Sequence, residues 1–245
     1  MTILQISIVV VIIVLVIIIA VNRYRTTTLA QALATDTPET FKEQLIETDE
    51  YKAPVGYTLD AVEVVPDLEL RTATWLVDDP KGTVLLFTGF TEFIEKYYET
   101  IEDLKSKNWN VVAFDWRGQG LSSKLLKDYS KGYIENFNDY LHDAEVIYQS
   151  KVAHLKKPHN LLAHSMGGHL GFRELQEHPN RYHRAVLCAP MLAIKGLGTG
   201  KLNKVAMIFR LLGFGQSYVL GGGAGKIDKT HERLTSDITR FKKWS

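Results

Sequence analysis

The sequence of 245 residues has one cysteine, Cys188. That excludes an intramolecular disulfide framework and fits a reducing compartment. It also lacks a charge of one sign: 29 Lys and Arg stand against 28 Asp and Glu. A basic face of the kind that binds nucleic acid is therefore not implied, and nucleic acid is not an expected partner. No internal repeat is visible, which sets solenoids and propellers aside. No metal-ligand cluster appears either, so neither a metal nor a cofactor is expected. The glycine-rich stretch "GGGAGKI" does not form a phosphate loop. Leu220 stands where that motif needs glycine, and Ile227 replaces the hydroxyl residue that would hold magnesium.

Hydrophobic residues make up 45% of the chain, enough for one sizeable core. They are unevenly spread. From Ile3 to Val21 the chain reads ILQISIVVVIIVLVIIIAV, with only Gln5 and Ser7 polar. As a helix this run would extend roughly 28 Å, enough for a bilayer core. Residues 1–22 are accordingly read as a transmembrane anchor. No Lys or Arg precedes the run and no small-x-small site follows it, which argues against a cleaved signal peptide. Arg23 and Arg25 lie just after it, so a single-pass membrane protein with its carboxyl-terminal body in the cytoplasm is expected. Residues 23–53 read as a polar stalk, in which Thr37, Pro38 and Glu39 open a short helix.

From Tyr57 onward, strand and helix patterns alternate. "AVEVV" and "ELRTATWLV" suit a leading antiparallel pair, whereas "GTVLLFTGF" and "NVVAFDW" are continuous apolar runs suited to strands buried on both faces. "KYYETIEDLKSKN" between them has helical spacing, and helix, strand, helix and strand follow through "HRAVLCAP". The expected core, residues 54–190, is an α/β fold whose mostly parallel sheet carries helices on both faces.

Ser165 falls where the strand "NLLAH" meets the helix "MGGHLGFREL", at the carboxyl edge of that sheet, where open α/β folds place their chemistry. A nucleophile on so tight a turn needs small neighbours; Gly167 supplies one and Ala163 the other, giving A-x-S-x-G in place of G-x-S-x-G. The Met166 amide, at the helix start, would face a developing oxyanion and gain from the helix dipole. A second donor is expected from "LLFTGFTEF", where Gly89 permits close approach and the Phe90 amide is the candidate. In "FDWRGQGLS", Asp115, Arg117, Gly118, Gly120 and Ser122 are assigned to a structural turn.

The stretches "TGFTEFIEKY", "FDWRGQGLSSKLLKDYSKGYIENFNDYLHDAE", "LLAHSMGGH" and "AVLCAPML" together resemble the α/β-hydrolase superfamily. The similarity lies in its branch of monoacylglycerol lipases and lysophospholipases of the L2 type, with a serine aminopeptidase S33-type domain. A weaker match in "RLTSDITRF" extends it over roughly Leu70 to Phe241. The resemblance implies hydrolysis of a lipid acyl ester, lysophospholipid or monoacylglycerol, through a Ser165 acyl-enzyme. The Phe90 and Met166 amides would form the oxyanion hole. Residues 191–245 resemble part of the cap over the site.

In this architecture the order is Ser, then Asp or Glu, then His, which leaves Asp115 out of the triad. No apolar strand followed by an acid or a histidine appears after "AVLCAPML". His231 lies in a polar run, His164 adjoins the nucleophile on a turn that points neighbours apart, and His169 starts the next helix. The triad acid and histidine are therefore read as missing from this chain, and with them the last strands. The leading expectation is a membrane-anchored serine esterase, truncated. An inactive hydrolase-like fragment or binding module is the rival reading, and within enzymes an aminopeptidase-like amide hydrolase. The sequence leaves oligomeric state open.

Overall fold

The computed structural model describes Leu45, Glu47 and residues 52–128, 131–193 and 200–217. One six-stranded sheet organises them. Its strands are β1 (Tyr57–Val65), β2 (Leu68–Trp75), β3 (Thr83–Phe87), β4 (Asn110–Phe114), β5 (His159–His164) and β6 (Arg184–Cys188), in the order β1-β2-β4-β3-β5-β6. The pair β1–β2 is antiparallel, as is β2 with β4; β4, β3, β5 and β6 run parallel. The leading antiparallel pair and the parallel α/β sheet expected above are both present.

Every residue of β3 and β4 is buried. Their continuous Val, Leu, Ala and Phe content follows from being covered on both faces. On one face Leu86, Val111 and Ala113 meet Ile101 of helix α1 (Tyr98–Ser106). On the other, Leu85, Phe87, Val112 and Phe114 meet helices α2 (Asp139–Ile147) and α3 (Met166–Glu177) through Tyr140, Ala144, Met166 and Leu170. Successive side chains point to opposite faces, so each strand feeds both cores. A further helix, α4, spans Gly200–Leu211.

No helix among the described residues is long and apolar enough to cross a membrane. The longest, α3 and α4, have 12 residues each. That length rises roughly 18 Å, against about 30 Å of hydrocarbon. This corrects the expected single-pass membrane placement with its cytoplasmic body. The run Ile3 to Val21 that suggested the placement lies outside the described residues, as do most of the stalk and His231.

Among the described residues β6 is a sheet edge, and Val186 at its middle is 57% exposed. Edge strands with apolar side chains template association. Val186→Lys is therefore expected to lower concentration-dependent self-association in sedimentation velocity; equal association in variant and wild type would refute this.

Candidate active site

Parallel strands present their carboxyl ends at one edge. Phe87, Phe114, His164 and Cys188 close β3, β4, β5 and β6 there, and the segments that follow them meet. Ser165 follows β5 directly and precedes α3. Its backbone sits at φ 52°, ψ −114°, a conformation that L side chains rarely adopt. Such strain, of order 1–3 kcal/mol, persists only where the surroundings enforce it. Here the Ser165 N–H donates to Cys188 O at 3.0 Å, while Ser165 O accepts from Met191 N at 2.9 Å and His169 N at 3.1 Å. Both backbone groups of the turn are thus committed, and the Ser165 hydroxyl makes no capping hydrogen bond to α3.

Gly167 explains how the turn fits. A Cβ there would lie 2.5 Å from both Phe87 O and Thr88 O, so α3 begins in direct contact with the β3 backbone. The requirement comes from this helix-to-strand approach more than from room beside the hydroxyl.

The loop after β3 faces the same edge. Gly89 N–H donates to Glu92 Oε2 at 2.7 Å, and Thr91 N–H donates to Gln119 Oε1 at 2.5 Å. Thr91 is itself held at φ 59°. Phe90 lies between these two tied amides, and among the described residues neither its N–H nor that of Met166 donates to another group. The Phe90 ring is half exposed and fills the space over Gly132.

Behind the loop, Asp115 is fully buried. It accepts from Arg71 Nε at 2.8 Å, from the Ile94 amide at 2.9 Å and from the Leu121 amide at 2.9 Å. Arg71 also forks onto Glu95, with both bonds at 2.7 Å. Burial alone would lower the Arg71 pKa, but Asp115 and Glu95 reverse that and hold it above its ordinary value. Burial pushes the Asp115 carboxyl up, with Arg71 pulling it back. Gly120 at φ 49° leaves room for this carboxylate, since a Cβ would fall 2.2 Å from Asp115 Cγ. Gly118 turns at φ 75°, and Ser122 Oγ donates to Asp115 O at 2.6 Å. Arg117 pairs bidentately with Asp143 of α2, at 2.7 and 2.5 Å. These residues brace the segment after β4.

Of the histidines, His164 Nδ1 lies 3.0 Å from Glu92 Oε2 and His169 stacks edge-on to Phe137. Sequence reasoning missed Glu92, Gln119 and the Arg71–Glu95 pair.

Two other features lie elsewhere. A cleft of about 430 Å³ lined by Val84, Leu104, Trp109 and Val186 sits toward the amino ends of the strands, away from Ser165. Glu145, Glu174 and His178 stand within 4.8 Å of one another, but the Arg181 guanidinium bridges both carboxylates. A cation is already in place there, so the group reads as an ion-pair network between α2 and α3.

The family model for serine aminopeptidase, S33 matches residues 78–242, more than half of the chain. The chain belongs to this family. Among curated members of the wider group, lysophospholipase L2 of Escherichia coli (strain K12) is 34% identical over 131 residues, covering 53% of this chain and 38% of its own. The probable lysophospholipase L2 of Haemophilus influenzae is 30% identical over 161 residues, covering 65% of this chain and 51% of its own. This S33-family chain therefore spans about half or less of those relatives. A solved structure of a soluble variant of monoglyceride lipase from Saccharomyces cerevisiae superposes with a TM-score of 0.50 at 19% identity, over 66% of this chain and 54% of that one. That likeness supports the α/β-hydrolase fold.

Proposed function

We propose that this S33-family domain is a serine hydrolase acting on acyl esters of lipids, lysophospholipid or monoacylglycerol, with Ser165 as nucleophile. The carrying observation is the Ser165 backbone at φ 52° directly after β5, which lifts its side chain off the strand path. In the reaction Ser165 Oγ bonds to the ester carbonyl carbon, and the carbonyl π pair moves onto oxygen. The Phe90 and Met166 amides, not engaged by other described groups, would hold that oxyanion. Collapse expels the alkoxide, which takes a proton from solvent to become the alcohol; water then bonds to the acyl carbon, breaks its bond to Ser165 Oγ, releases the acid and returns a proton to the serine. The names of the lysophospholipase relatives favour a lipid ester over an aminoacyl amide.

The Ser165 proton needs an acceptor. Of the histidines nearest in sequence, His164 donates its Nδ1 hydrogen to Glu92, and His169 lies edge-on to Phe137 with its buried Nδ1 unpaired among the described residues. Because we read no triad acid or histidine within these 245 residues, solvent water is the acceptor proposed for this chain, with the oxyanion amides holding the developing charge. The expected result is slow but specific: a fluorophosphonate adds one phosphonyl group by intact mass, and Ser165→Ala abolishes the adduct. Lysophosphatidylcholine and an aminoacyl anilide, offered side by side, separate esterase from amidase. An adduct count unchanged in Ser165→Ala, or no adduct in wild type, would sink the nucleophile assignment and favour a binding module.

A further inference from the structure

The loop after β3 and the turn at Ser165 are joined by side chains that the acyl-transfer chemistry does not itself use. Glu92 Oε2 accepts from the Gly89 amide at 2.7 Å, from Tyr97 OH at 2.5 Å and from His164 Nδ1 at 3.0 Å. A carboxylate offers no proton, so Nδ1 carries the hydrogen in the last contact. Gly89 and His164 are 75 residues apart in sequence (164 − 89), and the one oxygen bonds both. On the other side, Gln119 Oε1 accepts from the Thr91 amide at 2.5 Å, while its Nε2 reaches Tyr140 OH at 3.2 Å and lies 4.0 Å from Met166 Sδ. Gln119 is 4% exposed. The two anchors therefore flank Phe90 in the loop and flank Ser165 in the turn, one tied to the residue before the serine and one touching the residue after it.

We propose that Glu92 and Gln119 are positioning residues that clamp the Phe90 amide against the Ser165 turn, fixing the spacing of the two oxyanion donors. This rests on the nucleophile assignment for Ser165. The geometry shows why two anchors are needed. A peptide plane is rigid but free to flip about its flanking dihedrals. Binding the amide on each side of Phe90 removes that freedom and leaves its N–H as the one donor of the three without a partner among the described residues. The clamp also explains Gly89: a Cβ there would fall 2.5 Å from Glu92 Oε2 and 3.2 Å from His164 Nδ1. Burial by itself would raise the Glu92 pKa; the bonds from Tyr97, His164 and the Gly89 amide outweigh it and keep the group below its ordinary value. The carboxylate thus stays an acceptor at neutral pH.

The test compares Glu92→Ala, Glu92→Gln and Gln119→Leu in the full chain, using a fluorophosphonate and scoring the maximal labelling rate separately from the half-saturating concentration. Glu92→Ala and Gln119→Leu should each lower the maximal rate about 100-fold with the half-saturating concentration unchanged, because only the transition state uses the hole. Glu92→Gln should recover most of the loss, since its amide oxygen still accepts from Gly89. Equal rates in wild type and Glu92→Ala, or a glutamine variant as slow as alanine, would overturn the clamp. Gln119→Leu decides the case if Glu92→Ala does not fold. The second readout is independent of turnover: exchange of the Gly89 amide by NMR should be at least tenfold faster in Glu92→Ala than in Glu92→Gln. No adduct on wild type would remove the nucleophile assignment, and the exchange comparison would still decide whether the clamp exists.

Discussion

Asp115→Ala is expected to lower the thermal midpoint by roughly 6–20 °C, the equivalent of about 3–5 kcal/mol in a domain of this size. The substitution strips Arg71 of one of two carboxylates in a place where Arg71 is 1% exposed and Asp115 is 0% exposed. It also orphans the Ile94 and Leu121 amides, which end on the same side chain. Truncating one member of a buried pair costs more than the pair contributes, because the partner's charge stays buried without compensation. Asp115→Asn should fall between wild type and alanine, since it keeps an oxygen for the two amides while removing the charge. Asp60→Ala is the comparison that isolates burial. Asp60 pairs with Lys151, but its side chain is 54% exposed, and such pairs contribute about 0–1 kcal/mol. Scanning calorimetry on the three variants decides it: an Asp115→Ala midpoint no lower than that of Asp60→Ala would remove the ion cluster from the stability account.

The sheet was legible in the sequence because burial on both faces leaves a local mark. "TVLLF" and "NVVAF" are continuous apolar runs after their first residues, Thr83 and Asn110, and no long-range information is needed to see them. The turn at Ser165 was legible for a similar reason, since strand, small residues and helix start are adjacent in the chain. The ion cluster was not. Arg71 sits in the alternating run "ELRTATW", where an inward arginine looks like any outward one until Glu95 and Asp115, from two other segments, close around it. Gln119 was hidden likewise, because its partner amide is 28 residues away. Glu92 did leave a signal: it stands three residues after Gly89, the distance at which a side chain bonds back to a loop amide. The apolar run at Ile3 to Val21 shows the converse case. Its composition suggested a membrane span; the run lies outside the described residues, and no described helix is long and apolar enough to cross a membrane.

Gly167→Ala is expected to destabilise the fold although alanine is the better helix former. In the interior of a helix the exchange stabilises by about 1 kcal/mol. Against this stands a Cβ placed 2.5 Å from Phe87 O and from Thr88 O, atoms of a backbone that belongs to the buried centre of the sheet and has nowhere to move. Overpacking of this kind costs about 1–3 kcal/mol where side chains can adjust, and more where only backbone can. The net loss should be about 2 kcal/mol or more, a fall of roughly 4–8 °C in the midpoint. Gly171, on the same helix, supplies the control. Its added Cβ would meet Leu161 Cδ2 and Leu187 Cδ2 at 3.1 Å, the mobile ends of side chains, and Ala163 Cβ at 3.3 Å, looser than the backbone contacts at Gly167, so Gly171→Ala should cost less, about 1 kcal/mol. Labelling should separate the two variants further. The Gly167 contact fixes the start of α3, and with it the Met166 amide, against the strand that carries the Phe90 loop. Pushing them apart by a fraction of an ångström should therefore slow fluorophosphonate labelling about 100-fold. Gly171→Ala should label as wild type does. If instead the two alanine variants melt and label alike, helix propensity governs both positions, and the close approach of α3 to β3 does not set the geometry of the oxyanion donors.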